Sequence, residues 1–237
     1  TVFTKKFFDK LQHKTPQDGG YTAFRATGER LDIDLYIVKD FEFGPVKHPQ
    51  EEISYLDFNL GGLDGIISLK LLEKQPFTID FDHKVIRLET PGTLSALRTS
   101  RQVIPIQPEN SRGKALDIFA YFKVNDTLTL QLALDSGAGK DVFKFNSKYM
   151  ARLGIDANDT VLVKRKQKRS EINPAFTSST YSTTIKKLAP AAVPSVNVTD
   201  LRVQFLDGLI YDGIIWINWL GSRITVDIPG KQLLVAK

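Results

Sequence analysis

The amino-acid sequence predicts an all-β protein made of two similar halves. β-Branched and aromatic residues, several of them alternating with polar residues, fill most of its apolar segments, as they do in β-strands. One pattern of strand, helical turn and strand also occurs twice. Apolar residues make up 42% of the 237 positions, which is enough for one large core or two smaller ones. We therefore expect a folded chain and not a disordered one.

Strands dominate the pattern, and helices are few. The segments with strand character are 31–38, 53–58, 103–106, 116–124, 128–134 and 193–205. Only 3–11 and 146–153 have helical character, and Gly154 follows the second of these at the position of a helix C-cap. We therefore expect strands to form the core and helices to be short.

The repeated pattern covers 64–84 and 212–231. Each copy begins with Asp-Gly and a short apolar strand, continues with a helical turn that ends in Leu, and closes with a strand that alternates Thr and Asp with apolar residues. Asp64 and Asp212 are 148 residues apart. The Thr residues of the closing strands are 147 residues apart, a difference of one loop residue. The alternative is a single β-sandwich in which the similarity is fortuitous.

The two copies define a predicted domain boundary. Residues 90–101 lack a strong period and separate the copies. We therefore predict a first lobe at 1–92, a linker at 93–101 and a second lobe at 102–237.

Composition excludes further classes of protein. The chain has no Cys, which excludes disulfide scaffolds and cysteine metal sites. We expect no membrane-spanning segment, because no stretch approaches the roughly 20 uncharged apolar residues that one needs. We also expect no signal peptide at 1–11, where charges interrupt the apolar residues. The cellular compartment stays open, an extracytoplasmic one included.

The net charge of +5 is small for this length, so we expect no nucleic-acid partner. Basic residues form a single dense cluster, the run 164–169. Such a run is most often the solvated edge of a loop or hairpin. Binding of phosphates or of an acidic partner is the alternative.

One strand ends in residues that are suited to chemistry. The apolar segment 130–134 leads into Asp135, Ser136 and Gly137, with Ala138 next. Gly137 suits a sharp turn that brings backbone amides near the Asp135 carboxylate, and Ser136 suits a hydrogen bond to neighbouring backbone. An ordinary Asp-Ser-Gly turn has the same residues, so the three residues alone do not distinguish a chemical site from a turn. The surrounding sequence has to decide between the two.

The context resembles the aspartic peptidases of the pepsin and retropepsin type. In that family a D-[ST]-G-A loop, a flap hairpin, an apolar strand, a short helix and a terminal strand follow one another, as they do from Asp135 to the end of this chain. The resemblance covers nearly the whole chain and implies two β-barrel lobes with short helices and a cleft between them. It also implies endopeptidase activity on an extended peptide or protein, with Asp135 as a catalytic residue and Ser136, Gly137 and Ala138 as supports of its loop.

In that family two carboxylates about 3 Å apart share one proton and act together on a water molecule. The chain has no second D-[ST]-G. If Val2 corresponds to Val142, the partner of Asp135 would lie upstream of Thr1. Three explanations stay open: an N-terminal segment carries the partner Asp, a separate chain or cleavage fragment supplies it, or the protein is a non-catalytic relative that binds peptides.

The resemblance also places two β-hairpin flaps over the peptide. By position they would be the hairpins 21–38 and 168–187. The predicted tips, and with them the predicted substrate contacts, are Thr27, Gly28, Ser178, Ser179 and Thr180.

The chain departs from the family pattern at one place in each lobe. Where the family has Gly at the end of the apolar strand, Ser68 and Trp216 stand here. A bulky Trp216, at a position where a neighbouring backbone is expected to pass closely, favours the non-catalytic alternative.

Other chemistries lack a signature in this sequence. His13, His48 and His83 have no helical pairing and no carboxylate pair at metal-ligand spacing, so we expect no metal site. There is no Gly-x-Ser-x-Gly elbow and no Gly-rich phosphate loop. We therefore expect neither a metal nor an organic cofactor.

Overall fold

The computed structural model describes residues 1–57, 60–139, 141–170, 173 and 175–236. Strands make up 53% of the structure and helices 12%, so the predicted all-β class is confirmed at the level of secondary structure. The strand predicted at 53–58 ends at Leu56, and Phe58 lies outside the described residues.

The chain folds as two compact units. The first comprises Thr1–Leu72 with Asn110–Leu116, and the second comprises Glu73–Glu109 with Asp117–Lys237. These bounds differ from those of the lobes predicted from the repeat, because the strand at 77–80 is hydrogen-bonded to the strand at 223–227 and belongs to the second unit.

The first unit is a five-stranded sheet with short helices. In chain order its elements are β1 (Val2–Thr4), α1 (Lys5–Phe8), β2 (Lys14–Phe24), β3 (Arg30–Phe43), β4 (Val46–Leu56), β5 (Gly65–Ile66) and a 3-10 helix (Leu69–Leu72). The strand order is β2-β3-β4-β1-β5, with β1 parallel to β4 and antiparallel to β5. Phe3, Phe8 and Ile53 form the core of this unit, and the rings of Tyr36 and Tyr55 pack against Phe8.

The second unit contains the remaining elements, except that 110–116 are counted with the first. In chain order these elements are β6 (Phe77–Asp80), β7 (Val85–Leu88), α2 (Pro91–Ser100), β8 (Gln102–Pro105), β9 (Gln107–Ser111), β10 (Ala115–Val124), β11 (Leu128–Asp135), β12 (Phe143–Asn146), 3-10 helices at Ser147–Tyr149 and Ala151–Leu153, β13 (Lys164–Arg169), β14 (Thr177–Pro190), β15 (Val198–Leu206), β16 (Gly213–Trp216), a 3-10 helix at Asn218–Leu220, β17 (Arg223–Asp227) and β18 (Gln232–Val235).

These strands form two sheets. One has eight strands in the order β13-β14-β15-β12-β16-β11-β10-β9, and the other has five in the order β7-β6-β17-β18-β8. Fully buried aromatic and aliphatic side chains from the eight-stranded sheet fill the core of the unit, among them Phe122, Phe145, Phe205 and Ile215. The predicted strand at 193–205 begins only at Val198.

The helices differ from the sequence expectation in length and number. The helix predicted at 3–11 is the single turn α1, because β1 occupies the residues before it and Thr4 caps it by accepting a hydrogen bond from the Phe7 amide (3.4 Å). The segment 146–153 forms two 3-10 turns that end at Gly154, whose φ of 69° confirms the predicted C-cap.

Helix α2 was not predicted, and it occupies most of the predicted linker 93–101. Its side chains lack a clear apolar period, yet its start carries the usual signals. Thr90 is the N-cap, Pro91 occupies the first helical turn and Thr93 closes a capping box. These N-terminal signals are present in the sequence, and they favour a helix here although its residues lack an apolar period.

The closing strands of the two repeat copies, β6 and β17, pair with each other in the five-stranded sheet of the second unit. The hairpins β6–β7 and β17–β18 have the same register, with Thr78 opposite Arg87 and Thr225 opposite Leu234. Thr78 and Thr225 pair directly across β6 and β17, and their hydroxyls are 2.7 Å apart. Because residues that are equivalent in the repeat pair with each other, a local twofold axis passes between them.

The start of each repeat copy approaches a neighbouring strand unusually closely. A Cβ added to Gly65 would lie 2.6 Å from the carbonyl oxygen of Val2, and a Cβ added to Gly213 would lie 2.6 Å from that of Lys144. Only glycine fits such a backbone contact without a shift of the chain. In each unit, the glycine of the Asp-Gly motif therefore allows the same close approach of a neighbouring backbone carbonyl.

This shared contact identifies the equivalent residues of the two units. Phe3 pairs with the glycine of β5, and Phe145 pairs with the glycine of β16. The predicted equivalence of Val2 with Val142 is therefore wrong by two residues, because Val142 lies just before β12, whereas Val2 is the first residue of β1.

Changing Gly213 to Ala tests the close approach. We expect Gly213→Ala to lower the free energy of unfolding by about 1–3 kcal/mol, since the methyl group would meet backbone that has no room to move. Gly92→Ala is the matched control, because its Cβ would meet nothing closer than 3.9 Å within helix α2. That control is expected to be neutral or slightly stabilising. Equal effects of both changes in urea unfolding would contradict the packing argument.

A buried carboxylate joins helix α2 to this sheet. Asp227 accepts hydrogen bonds from Arg98 Nη2 (2.6 Å), Gln232 Nε2 (2.7 Å) and the Gly230 amide (2.9 Å). Burial opposes its ionisation, but these bonds outweigh burial and hold the pKa of Asp227 below its ordinary value. Asp227 therefore stabilises the fold in its ionised form.

The stabilisation by Asp227 depends on pH in a defined direction. Because the folded-state pKa lies below the unfolded one, the contribution is complete above about pH 4 and is lost as the pH falls through the folded-state pKa. We expect Asp227→Asn to cost about 2–4 kcal/mol at pH 6 and less at pH 3. The exposed Asp82→Asn is the control and should have no effect. A cost of Asp227→Asn in urea unfolding that is the same at both pH values would contradict this assignment.

Candidate active site

Asp135 is the last residue of β11, and the three residues before it are buried. β11 lies between β10 and β16 in the eight-stranded sheet. Its apolar residues stabilise the sheet, and the strand delivers Asp135 to the surface, where the side chain is exposed. The carboxylate is thus accessible to solvent at the end of a rigid element.

The loop after β11 holds one oxygen of this carboxylate. Asp135 Oδ1 accepts hydrogen bonds from the amides of Gly137 (2.8 Å) and Ala138 (3.0 Å). Oδ2 has no hydrogen-bond partner among the described residues. The loop therefore orients the carboxylate and leaves one oxygen available to water or to another group.

The predicted loop supports take part in different ways. Gly137 supplies an amide, but its φ is not in the left-handed region, so the turn does not require glycine for that reason. A Cβ there would lie 3.4 Å from Asp135 Oδ1, at the limit of ordinary contact. Ser136 is exposed, and its hydroxyl makes no hydrogen bond to a described residue. Ala138 supplies the second amide.

Trp216 lies beside Asp135 at the end of the parallel pair β11–β16. Its amide donates to the carbonyl of Val142 (2.9 Å), so β16 bridges Asp135 and the segment that follows its loop. The indole is half-buried. The close approach expected at this position lies instead at Gly213, three residues earlier.

A second carboxylate, which sequence reasoning missed, lies near Asp135. β10 and β11 are antiparallel, and the last pair on this side is Phe119 with Ala133. Asp117 and Asp135 each lie two residues beyond that pair, and the negative charge of Asp135 acts on the Asp117 carboxyl group. The signal in the sequence is a lone Asp between the buried Leu116 and Ile118.

The environment of Asp117 favours its protonated form. Burial, followed by the negative charges of Glu109 and Asp135, raises the pKa of Asp117 above its ordinary value, and a hydrogen bond from the Tyr211 hydroxyl opposes that rise. Asp117 and Asp135 thus form a pair of neighbouring carboxyl groups in different environments, one half-buried and one exposed.

The predicted flap tips have different outcomes. Thr27 and Gly28 lie in the turn between β2 and β3, where the Gly28 amide donates to the Arg25 carbonyl (2.8 Å) and Gly28 has a φ of 80°. The placement of that hairpin turn is confirmed. It belongs to the first unit.

The second predicted tip is wrong. Ser178, Ser179 and Thr180 lie within β14 and pair with 166–168 of β13. Beyond the paired strands, the Ser170 amide donates a hydrogen bond to the Phe176 carbonyl (2.9 Å). The Ser and Thr run extends β14 because β-branched and hydroxyl residues fit a strand, and the turn falls before it. Glu171, Ile172 and Pro174 lie outside the described residues.

The basic run forms β13, the edge strand of the eight-stranded sheet. This position confirms the interpretation of the run as a hairpin edge. Arg165 contacts Tyr181 and Ser179 on β14. In the part of the chain that the structure describes, no carboxylate forms an ion pair with Lys164, Arg165 or Lys166.

The described residues offer no evidence of a metal centre or of a membrane-spanning helix. Among the described residues, no three His, Asp or Glu side chains converge in a way that could hold a metal ion. No helix in the same residues is long and apolar enough to cross a membrane. Comparison with family models and with curated proteins finds no match for this chain.

The interaction between the two carboxyl groups can be measured directly. We expect Asp135→Asn to lower the pKa of Asp117, because it removes a neighbouring negative charge, and Tyr211→Phe to raise it, because it removes a hydrogen bond to the ionised form. A carbon-13 carboxyl NMR titration reports both shifts. The distant, exposed Asp126→Asn should leave the value unchanged. Shifts of the same sign in the first two variants would contradict the assigned contacts.

Proposed function

We propose that this protein is an aspartic-type endopeptidase, with Asp135 as one of its two catalytic carboxylates. The observation that carries the proposal is the Asp-Ser-Gly-Ala loop itself: a carboxylate at the end of a buried strand, one oxygen held by two amides and the other available. A carboxylate oxygen that is exposed and oriented in this way can act on a water molecule and on a peptide carbonyl. The class resembled by the sequence uses the same loop for that purpose.

The repeat supports the two-lobed architecture of this class. Both units contain an Asp-Gly strand in close contact with a neighbouring strand, and the closing hairpins of the two copies pair about a local twofold axis. Such a duplication provides equivalent positions for two carboxylates. By the equivalence of Phe3 with Phe145, the counterpart of Asp135 would precede Phe3 by ten residues. We assign it to a segment upstream of Thr1 or to a separate chain.

The proposed chemistry is general acid–base catalysis. The ionised carboxylate takes a proton from a water molecule as the water oxygen attacks the scissile carbonyl, and the protonated carboxyl donates to the carbonyl oxygen. The tetrahedral intermediate then collapses as a proton passes to the leaving amine. One proton is shared by the pair throughout, so the two groups titrate together. Activity is therefore expected in the acid range.

Asp135→Asn tests the proposal in the full-length protein. We expect the wild-type protein to cleave an unfolded protein substrate at acid pH and Asp135→Asn to reduce the rate by about a thousandfold or more, because the amide cannot accept the proton from water. Asp126→Asn, an exposed carboxylate in a turn, is the matched control and should keep full activity. Equal cleavage by the wild type and Asp135→Asn would refute the assignment.

The second candidate is a non-catalytic peptide-binding protein with the same fold. The large Trp216 side chain beside Asp135 favours it, because an indole next to the carboxylate takes up space that a substrate would need. In that case no cleavage occurs at any pH, and extended peptides bind equally to the wild type and to Asp135→Asn. A D-[ST]-G upstream of Thr1 favours the peptidase.

A further inference from the structure

A surface cavity of about 440 Å³ lies on the eight-stranded sheet of the second unit. The strand residues whose side chains matter here come from β13, β14 and β15. They are Lys164, Ser182, Thr184, Arg202 and Gln204.

The strand register places these side chains on one face. Lys164 pairs with Ser182, and Ser182 pairs with Gln204. Thr184 pairs with Arg202 in the next row of the same face. The residues between them point the other way, and the buried Ile185 and Val203 belong to the core. The cavity therefore lies on the solvent side of the sheet.

The cavity has the chemistry of an anion site. Lys164 and Arg202 are both exposed, and neither forms an ion pair with a carboxylate in the described residues. Asp141 also lines the cavity but lies beyond ion-pair distance of both. The hydroxyls of Ser182 and Thr184 add two hydrogen-bond donors. The solvent-exposed lining of the cavity therefore carries two cationic side chains and one carboxylate.

An apolar rim adjoins these charges. Val161 and Leu162 line the cavity, and their side chains are 87% and 68% exposed. Exposed aliphatic side chains beside basic groups suit a ligand with an apolar stem and an anionic end. A glutamate side chain has this form.

The cavity and Asp135 share a face of the same sheet. Gln204 of β15 pairs with Lys144 of β12, Lys144 pairs with Ile214 of β16, and Ile214 pairs with Ala133 of β11. Arg202 and Asp135 each lie two residues from this row, in the same direction and on the same face. Three strand spacings of about 4.8 Å separate Arg202 from Asp135, or roughly 14 Å. An extended peptide advances about 3.3 Å per residue, so about four residues cover that distance.

From this arrangement we infer that the cavity selects an acidic side chain, Asp or Glu, of an extended peptide, about four residues from the bond presented to Asp135. The identity of that bond rests on the proposed function, whereas binding of the acidic side chain does not. Charge complementarity fixes the class of ligand, and the row from Arg202 to Asp135 fixes its distance.

Peptide binding tests this inference. Decapeptides of Ala, Val and Thr, with a single Glu moved along the chain, are titrated calorimetrically into full-length Asp135→Asn protein, which prevents cleavage. Matched peptides carry Gln at the same positions. We expect one Glu position to bind about tenfold more tightly than its Gln counterpart at low salt, and this advantage to shrink as salt screens the charges.

Charge-removing variants locate the effect. Lys164→Gln and Arg202→Gln should each weaken binding of the best Glu peptide about three- to tenfold and leave the Gln peptide unchanged. Lys123→Gln is the matched control, because Lys123 is equally exposed on β10, opposite Thr129. It should change neither affinity.

Several results would overturn the inference. Equal affinity for Glu and Gln peptides at every position would do so, as would no binding of any peptide up to about 1 mM. Tighter binding of a single-stranded thymidylate 12-mer, lost in Lys164→Gln, would assign the cavity to nucleic acid instead.

The two proposals fail separately. Acid cleavage that depends on Asp135 without Glu selectivity leaves the peptidase and removes the acidic subsite. Glu selectivity that depends on Lys164 and Arg202, in a protein that cleaves nothing, leaves the subsite and removes the peptidase.

Discussion

The close approach of β12 to the start of β16 is the contact on which the candidate site depends. At Gly213 the carbonyl of Lys144 lies where a side chain would begin, and this proximity lets β16 hydrogen-bond to β12 on one side and to β11 on the other. Any larger residue would separate these strands. Because β11 ends at Asp135, the same contact also sets where the Asp135 carboxylate lies relative to Trp216 on β16. It likewise sets the position of the carboxylate relative to the cavity on β15, which is two strands beyond β16.

The first unit contains the same contact at Gly65 but uses it differently. There β5 is only two residues long, and β1 pairs with it and with β4. The surrounding core is aromatic, with Phe8 between Tyr36 and Tyr55. A duplicated backbone contact therefore supports two different side-chain environments, which is how a repeated fold can place chemistry in one copy and packing in the other.

Local patterns predicted much of this structure. Alternation identified β3, β10 and β11, and the Asp-Gly repeat identified β5 and β16, because period-two burial and repeated motifs leave direct marks in a sequence. The close approaches themselves were expected at Ser68 and Trp216, whereas the structure has them at Gly65 and Gly213. Features that depend on register or on competing elements were not predictable. The proximity of Asp117 to Asp135 depends on the register of β10 against β11, and the predicted second tip at 178–180 lies within β14, where it pairs with β13.

Trp216 does not occupy the position at which the backbone contact requires glycine. Glycine is needed where a carbonyl approaches the Cα, and that place is Gly213. At Trp216 the neighbouring strand approaches through an ordinary hydrogen bond from its amide to Val142, so the indole does not distort β16. Trp216 pairs with Asp135 across the parallel strands β16 and β11, so the two side chains start on the same face of the sheet. The residue is half-buried and takes an ordinary place in the strand. Trp216 is therefore no obstacle to the backbone geometry of the proposed site, and the question that it raises concerns only the room beside the Asp135 carboxylate.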